Sequence, residues 1–135
     1  MQRTRVAAYG LITDGDRILL CRISPELPSI AGLWTLPGGG IDFGELPVNG
    51  MVREVAEETG LVVEPTGLAH VDSNVFAGEN LTQHNVRIFY YAKIISGELR
   101  NELCGSTDCC AWWSRHELPP LVELAAIGIR LAFAC

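Results

Sequence analysis

The chain has 135 residues, enough for one ordinary domain, and 48% of them are apolar, so a single proper core is expected. Its formal charge of −6 argues against a protein whose main partner is the phosphate backbone of DNA or RNA. An acidic site can still meet a phosphate substrate if metal ions reverse its local sign.

The N-terminal stretch "MQRTRVAAYGLITDGDRILL" has too short an apolar run for a signal peptide or a spanning helix, and Asp14 and Asp16 interrupt it early. A cytoplasmic protein with no membrane association is expected. Cys21, Cys104, Cys109, Cys110 and Cys135 form an odd set without regular disulfide spacing, which fits reduced thiols. Cys109 and Cys110, followed by "AWW", read as half-buried strand residues rather than zinc ligands.

In chain order, "RVAAYGLIT" reads as a strand, "DGD" as a turn and "RILLCRI" as the returning strand of a hairpin. "SPELPSIAG" is a loop, and "LWTLP" a short strand running into Gly38, Gly39 and Gly40. Val48, Met51, Val52 and Val55 recur at helical spacing, Pro47 suits a first turn and Gly60 suits the position past a helix end, so a helix over about Pro47 to Thr59 is expected. "LVVEPTGLAHVDSNVF" supplies one or two strands with a break at Pro-Thr-Gly. "NVRIFYYAKII" is a strand whose Val86, Ile88, Tyr90 and Ala92 share a face. "SGELRNELCGSTD" is a loop, "CCAWWS" a last short strand, and "LVELAAIGIRLAF" a core-facing C-terminal helix. Strands on either side of a central helix suggest one mixed sheet with helices on both faces, an α/β (α+β) domain over 1–135.

The central helix carries the chemistry. Each helical residue advances by about 100°, so with Glu54 at zero, Glu57 falls near −60° and Glu58 near +40°, roughly one arc of 100°. Val48, Met51, Val52 and Val55 fall between about 60° and 160°, an adjacent apolar stripe. The bland reading is a solvated acidic face, since like charges at these spacings cost only about 0.2–0.5 kcal/mol per pair. Against it, the cluster lies toward the helix C-terminus, where the dipole disfavours negative charge, and three carboxylates in one arc suit a hard divalent cation. The preceding glycines let main chain come close to a ligand or to the helix.

Gly39, Glu45 and Arg53-Glu54-Val55-Ala56-Glu57-Glu58-Thr59-Gly60-Leu61, at this spacing, match the specified positions of the Nudix box, and the chain resembles the Nudix hydrolase family. "GLWTLPGG" before the box and "WWSRHELPPL" near the end resemble familiar Nudix surroundings, so the likeness covers most of the chain. It implies an α/β/α sandwich and hydrolysis of the pyrophosphate bond in a nucleoside diphosphate linked to another moiety, such as ADP-ribose, a nucleotide sugar or a nucleoside triphosphate. The implied cofactor is Mg²⁺, with Mn²⁺ as a substitute. By match to the motif, Glu57 and Glu58 are primary metal ligands, and Glu54 is either a third ligand or the base. Gly39 offers its carbonyl to metal or shapes the loop. Arg53 pairs with a carboxylate, Glu45 being the favoured partner.

Family members often add an acid from outside the box; Glu98, Glu102 and Asp108 are the candidates, with Glu102 slightly favoured. Arg5, Arg22 and Arg87 are candidate phosphate contacts, and Trp34, Phe43, Phe76 or Tyr91 a stacking surface for a base. Gly50 stands where alanine is common in the family, either leaving room beside the metals or as a tolerated change. The partner is a small-molecule nucleotide. A homodimer is expected by family analogy and from the apolar tail "RLAFAC". A sensor domain that binds nucleotides without turnover is the alternative, and the intact set of three glutamates speaks against it.

Overall fold

A computed structural model describes residues 1–100 and 107–134. The elements are β1 (Gln2–Asp14), β2 (Arg17–Ile23), β3 (Trp34–Thr35), β4 (Gly38–Gly40), α1 (Pro47–Thr59), β5 (Leu61–Ala77), β6 (Thr82–Gly97), β7 (Thr107–Ser114) and α2 (Glu123–Ala132). The sheet runs β3-β2-β1-β6-β5, with β4 added to β1 and β7 to β2.

The opening hairpin pairs only at its tip, Thr13 with Ile18 and Asp14 with Arg17, around Gly15 at φ 60°. The rest of β1 lies parallel to β6, from Gln2 opposite Thr82 to Ile12 opposite Ala92. This one parallel pair makes the sheet mixed. β1 is buried on both sides: Ala7, Tyr9 and Leu11 face α2, while Ala8 and Ile12 face α1. Covering both faces is why its sequence reads as an unbroken apolar run rather than an alternating one.

On one face Met51 and Val55 of α1 sink against Ala8, Leu19 and Cys21, each such burial contributing about 1.5–3 kcal/mol. On the other, Leu124, Ala125 and Ile129 of α2 pack on Leu11, Leu20 and Leu36. Helices on both sides of a mixed sheet are the architecture expected from the order of elements. The apolar tail is spent on this second core: Leu131, Ala132 and Phe133 pack against it, and the Arg115 guanidinium sits 4.6 Å from the Phe133 ring. These three residues thus spend part of their apolar surface on the chain's own core.

Two segments take forms that the sequence left open. The Pro65-Thr66-Gly67 break does not divide the strand; β5 continues through it by shifting register, which an edge strand tolerates because its outer N–H groups need no partner. The three glycines form a short strand of their own, with Ala7, Ala8 and Tyr9 opposite Gly40, Gly39 and Gly38. At Gly38 φ is 140°, and a Cβ there would run into the Ala8 carbonyl.

Candidate active site

Helix α1 begins at Pro47 and ends at Gly60, whose φ of 79° turns the chain and lets its N–H donate to the Ala56 carbonyl. Between these ends the three carboxylates follow the order of their azimuths. Glu57, farthest from the apolar stripe, has a side chain about half exposed; Glu54 is mostly covered; Glu58, beside the stripe, is 4% exposed. The Glu58 carboxylate lies against the Cys21 thiol, and burial, with that carboxylate second, pushes the thiol well above its ordinary range. One arc thus spans three environments, from solvent to core.

Arg53 organises the exposed part. Its Nε and Nη2 each donate 2.9 Å bonds to the two oxygens of Glu45, the fork expected from the sequence. Nη1 donates to Glu54 at 3.0 Å and Glu57 at 3.3 Å, and Nη2 reaches the Gly40 carbonyl at 3.3 Å. Glu45 Oε1 also accepts from the Asp42 N–H at 2.9 Å. One guanidinium therefore ties β4, the following loop and α1 together.

The Arg53 fork holds the Glu45 carboxyl down at about 2 against an ordinary 4.5. Because the folded value is the lower one, this contribution to stability is complete above about 4.5 and is lost as pH falls from there toward about 2. Unfolding midpoints followed down this range should fall faster for the native chain than for Glu45→Gln, so that the gap between them closes in acid. A constant gap would contradict the assignment.

Gly50 serves this clamp rather than room beside a metal. A Cβ there would stand 2.7 Å from Ile41 Cγ2 and 2.9 Å from Glu45 Oε1. Gly50→Ala should gain about 0.5–1 kcal/mol of helix propensity but cost about 1–3 kcal/mol in overpacking. A lowered melting temperature is expected; a raised one would contradict the packing.

The glycine strand, Glu54 and Arg5 line a cleft of about 240 Å³, together with the apolar Ile23 and Leu27. A Cβ on Gly39 would lie 3.0 Å from Glu54 Oε2, so the bare glycine leaves the backbone open to that carboxylate. Arg5 lies against Gly40 and has no carboxylate partner among the described residues. Ile23, Leu27 and Thr107 could not be assigned to this cleft from the sequence, because they come from separate segments with no shared motif.

The other candidate cations are not brought there. Arg87 forks onto Asp72 at 2.7 and 3.0 Å and reaches Glu123 at 3.2 Å, on the α2 face, opposite α1. Arg22 donates to Asp108 at 2.9 Å, which engages both the candidate cation and a candidate ligand. Trp34 is buried edge-on to Trp113, ring centres 5.2 Å apart, and is a core residue. Phe43 stands fully exposed on the loop between β4 and α1. Phe76 and Tyr91 are on β5 and β6, away from the cleft lining. Glu98 is exposed near the C-terminal end of α1, and Glu102 lies outside the described residues.

Among the described residues no three acidic, His or Cys side chains already converge on one point, since Arg53 lies between Glu54 and Glu57. The donor set is nevertheless oxygen throughout, the Gly39 carbonyl and the carboxylates of Glu54, Glu57 and Glu58, which suits a hard divalent cation. Glu57, half exposed, has freedom to turn toward one.

Residues 1–131 match the NUDIX domain family model. The chain is 34% identical over 95 residues to the ADP-ribose pyrophosphatase of Methanocaldococcus jannaschii, covering 70% of this chain and 54% of that protein. It is 32% identical over 121 residues to the NAD-capped RNA hydrolase NudC of Pseudomonas aeruginosa, covering 90% and 40%. The crystal structure of a MutT NUDIX hydrolase from Burkholderia pseudomallei superposes with a TM-score of 0.80 at 31% identity, covering 95% of this chain and 97% of that one. The chain belongs to the Nudix hydrolase family. It spans about half or less of the length of the two curated relatives. No helix among the described residues is long and apolar enough to cross a membrane.

Proposed function

We propose that this chain hydrolyses the pyrophosphate bond of a nucleoside diphosphate linked to another moiety, with ADP-ribose the first candidate and nucleotide sugars or nucleoside triphosphates next. One observation carries the reading: Glu54 of α1 borders the same cleft as the open glycine backbone and Arg5, which has no carboxylate partner among the described residues. Kinship with an ADP-ribose pyrophosphatase and a NAD-capped RNA hydrolase supports a substrate with a nucleoside diphosphate core.

The electrostatics demand a countercharge. A diphosphate entering the cleft meets Glu54, with Glu57 and Glu58 on the same helix, and Arg5 alone does not offset them. The Gly39 carbonyl, Glu54, Glu57 and Glu58 would hold divalent metal, Mg²⁺ or Mn²⁺. Bound there, the metal supplies charge neutralisation of the phosphates and a lowered pKa for water. Arg53 keeps Glu54 and Glu57 aimed, through bonds of 3.0 and 3.3 Å. Glu54, lining the cleft, is placed either to ligate or to accept the proton of the attacking water. Arg5 contacts a phosphate oxygen, and Phe43 on the adjoining loop offers a face for a base. A cytoplasmic setting fits the thiols of Cys21 and Cys109.

The test is incubation with Mg²⁺ and a panel of ADP-ribose, nucleotide sugars, dinucleoside polyphosphates and nucleoside triphosphates, with products identified. Cleavage between the phosphates of a panel member supports the reading. Binding without turnover of any member would overturn it in favour of a sensor domain.

A further inference from the structure

Helix α2 covers only part of its side of the sheet. It starts at Glu123, bonded to Arg87, and its Leu131 carbonyl accepts from the Tyr91 hydroxyl, so the strand rows on the N-terminal side of Ala7 and Arg87 lie beyond it. Alternation places Arg3 and Arg5 on the face of Ala7 and Tyr9, the α2 face. Register then completes two rows across three strands: Arg5, Asn85 and Asn74, followed by Arg3, Gln83 and Phe76. Neither row contains an acid. The nearest acids in the sequence are Asp72, held in the Arg87 fork, and Glu79 in the turn beyond Phe76.

These side chains form an ordered surface. Arg3 Nε donates to Gln83 Oε1 at 3.0 Å, Gln83 Nε2 donates to Asn85 Oδ1 at 2.7 Å, and Asn85 Nδ2 donates to Asn74 Oδ1 at 3.0 Å. Each amide keeps a hydrogen left over from this chain of bonds. At the near corner Arg5 also lines the catalytic cleft, and at the far corner Phe76 is 66% exposed. Two strand spacings across and two residues along put Phe76 about 12 Å from Arg5. Outward from the cleft the order is therefore cation, amides, open aromatic ring. A nucleotide presents phosphate, ribose hydroxyls and base in that same order, whereas a bare sugar would leave the ring unused. We infer that the face from Arg5 to Phe76 is a second nucleoside subsite, so that the moiety joined to the nucleoside diphosphate is itself a nucleoside and the preferred substrate is a dinucleotide. The subsite rests on the reading of the cleft as a pyrophosphate site.

Diadenosine diphosphate is ADP-ribose with a second adenine on its distal ribose, so comparing the two isolates the subsite. In steady-state kinetics with Mg²⁺ the dinucleotide should show a KM about 10-fold lower. Phe76→Ala, at an exposed position outside the cleft, should erase that advantage and leave kcat and KM for ADP-ribose unchanged, while Phe76→Trp should keep it. Analogues with a methylene group in place of the bridging oxygen resist cleavage between the phosphates, so calorimetry with Mg²⁺ compares the same two affinities without turnover. Equal affinity of the native chain for both analogues, or a Phe76→Ala chain that keeps the preference or weakens both alike, would overturn the subsite. A preference among the analogues with no turnover of either substrate would overturn the proposed hydrolysis and leave the subsite standing; binding of neither would overturn both.

Discussion

Glu57→Gln and Glu58→Gln should each lower the proposed metal-dependent pyrophosphate hydrolysis on the order of 10³-fold, the loss expected when a ligand to a charge-neutralising metal is removed. The two variants separate chemistry from folding. Glu57 is half exposed, so its amide leaves the melting temperature unchanged while turnover collapses. Glu58 is buried against Cys21, and its amide keeps nearly the same shape, so thermal unfolding of Glu58→Gln is read beside its turnover to separate lost chemistry from lost fold. Steady-state kinetics beside thermal unfolding decide the matter: native-like turnover in Glu57→Gln contradicts its role as ligand.

Arg53→Ala is the second large effect, and it differs in kind. The guanidinium joins Glu45, Glu54, Glu57 and the Gly40 carbonyl, so its removal frees the β4–α1 loop and leaves three carboxylates to repel one another. We expect a melting temperature lower by several degrees and turnover down about 10–100-fold, the range seen when a group that orients metal ligands is lost. Arg53→Lys should recover little of either, because an ammonium cannot make the two parallel 2.9 Å bonds to Glu45. Full rescue by lysine would show that charge alone, not the fork, is what the site requires.

Much of α1 was legible in the sequence because its signals are local. Pro47, the spacing of Met51 and Val55 and the left-handed Gly60 fix both ends and the buried stripe of this 13-residue helix from local signals alone. The azimuths even rank the burial of Glu57, Glu54 and Glu58, since the residue nearest the stripe goes under with it. The Arg53–Glu45 fork was legible only through the resemblance to a known motif.

What was not legible depends on distant pairing. Nothing in "RVAAYGLIT" says that its main partner is β6, some eighty residues on, and parallel. Arg87 looked free for phosphate until the β5–β6 register set Asp72 opposite it. That the glycines pair as a strand squeezed against β1 shows only once β1 is in place beside them. The apolar tail "RLAFAC" gave no sign that Leu131, Ala132 and Phe133 pack against the core beside α2.

Titration with Mn²⁺ followed by electron paramagnetic resonance asks directly whether the α1 carboxylates hold divalent metal, independently of any substrate. The native chain should bind Mn²⁺, release it to excess Mg²⁺, and lose that binding in Glu57→Gln while keeping its fold. Equal binding by the native chain and Glu57→Gln, or none by the native chain, would contradict the metal site on which the proposed hydrolysis rests.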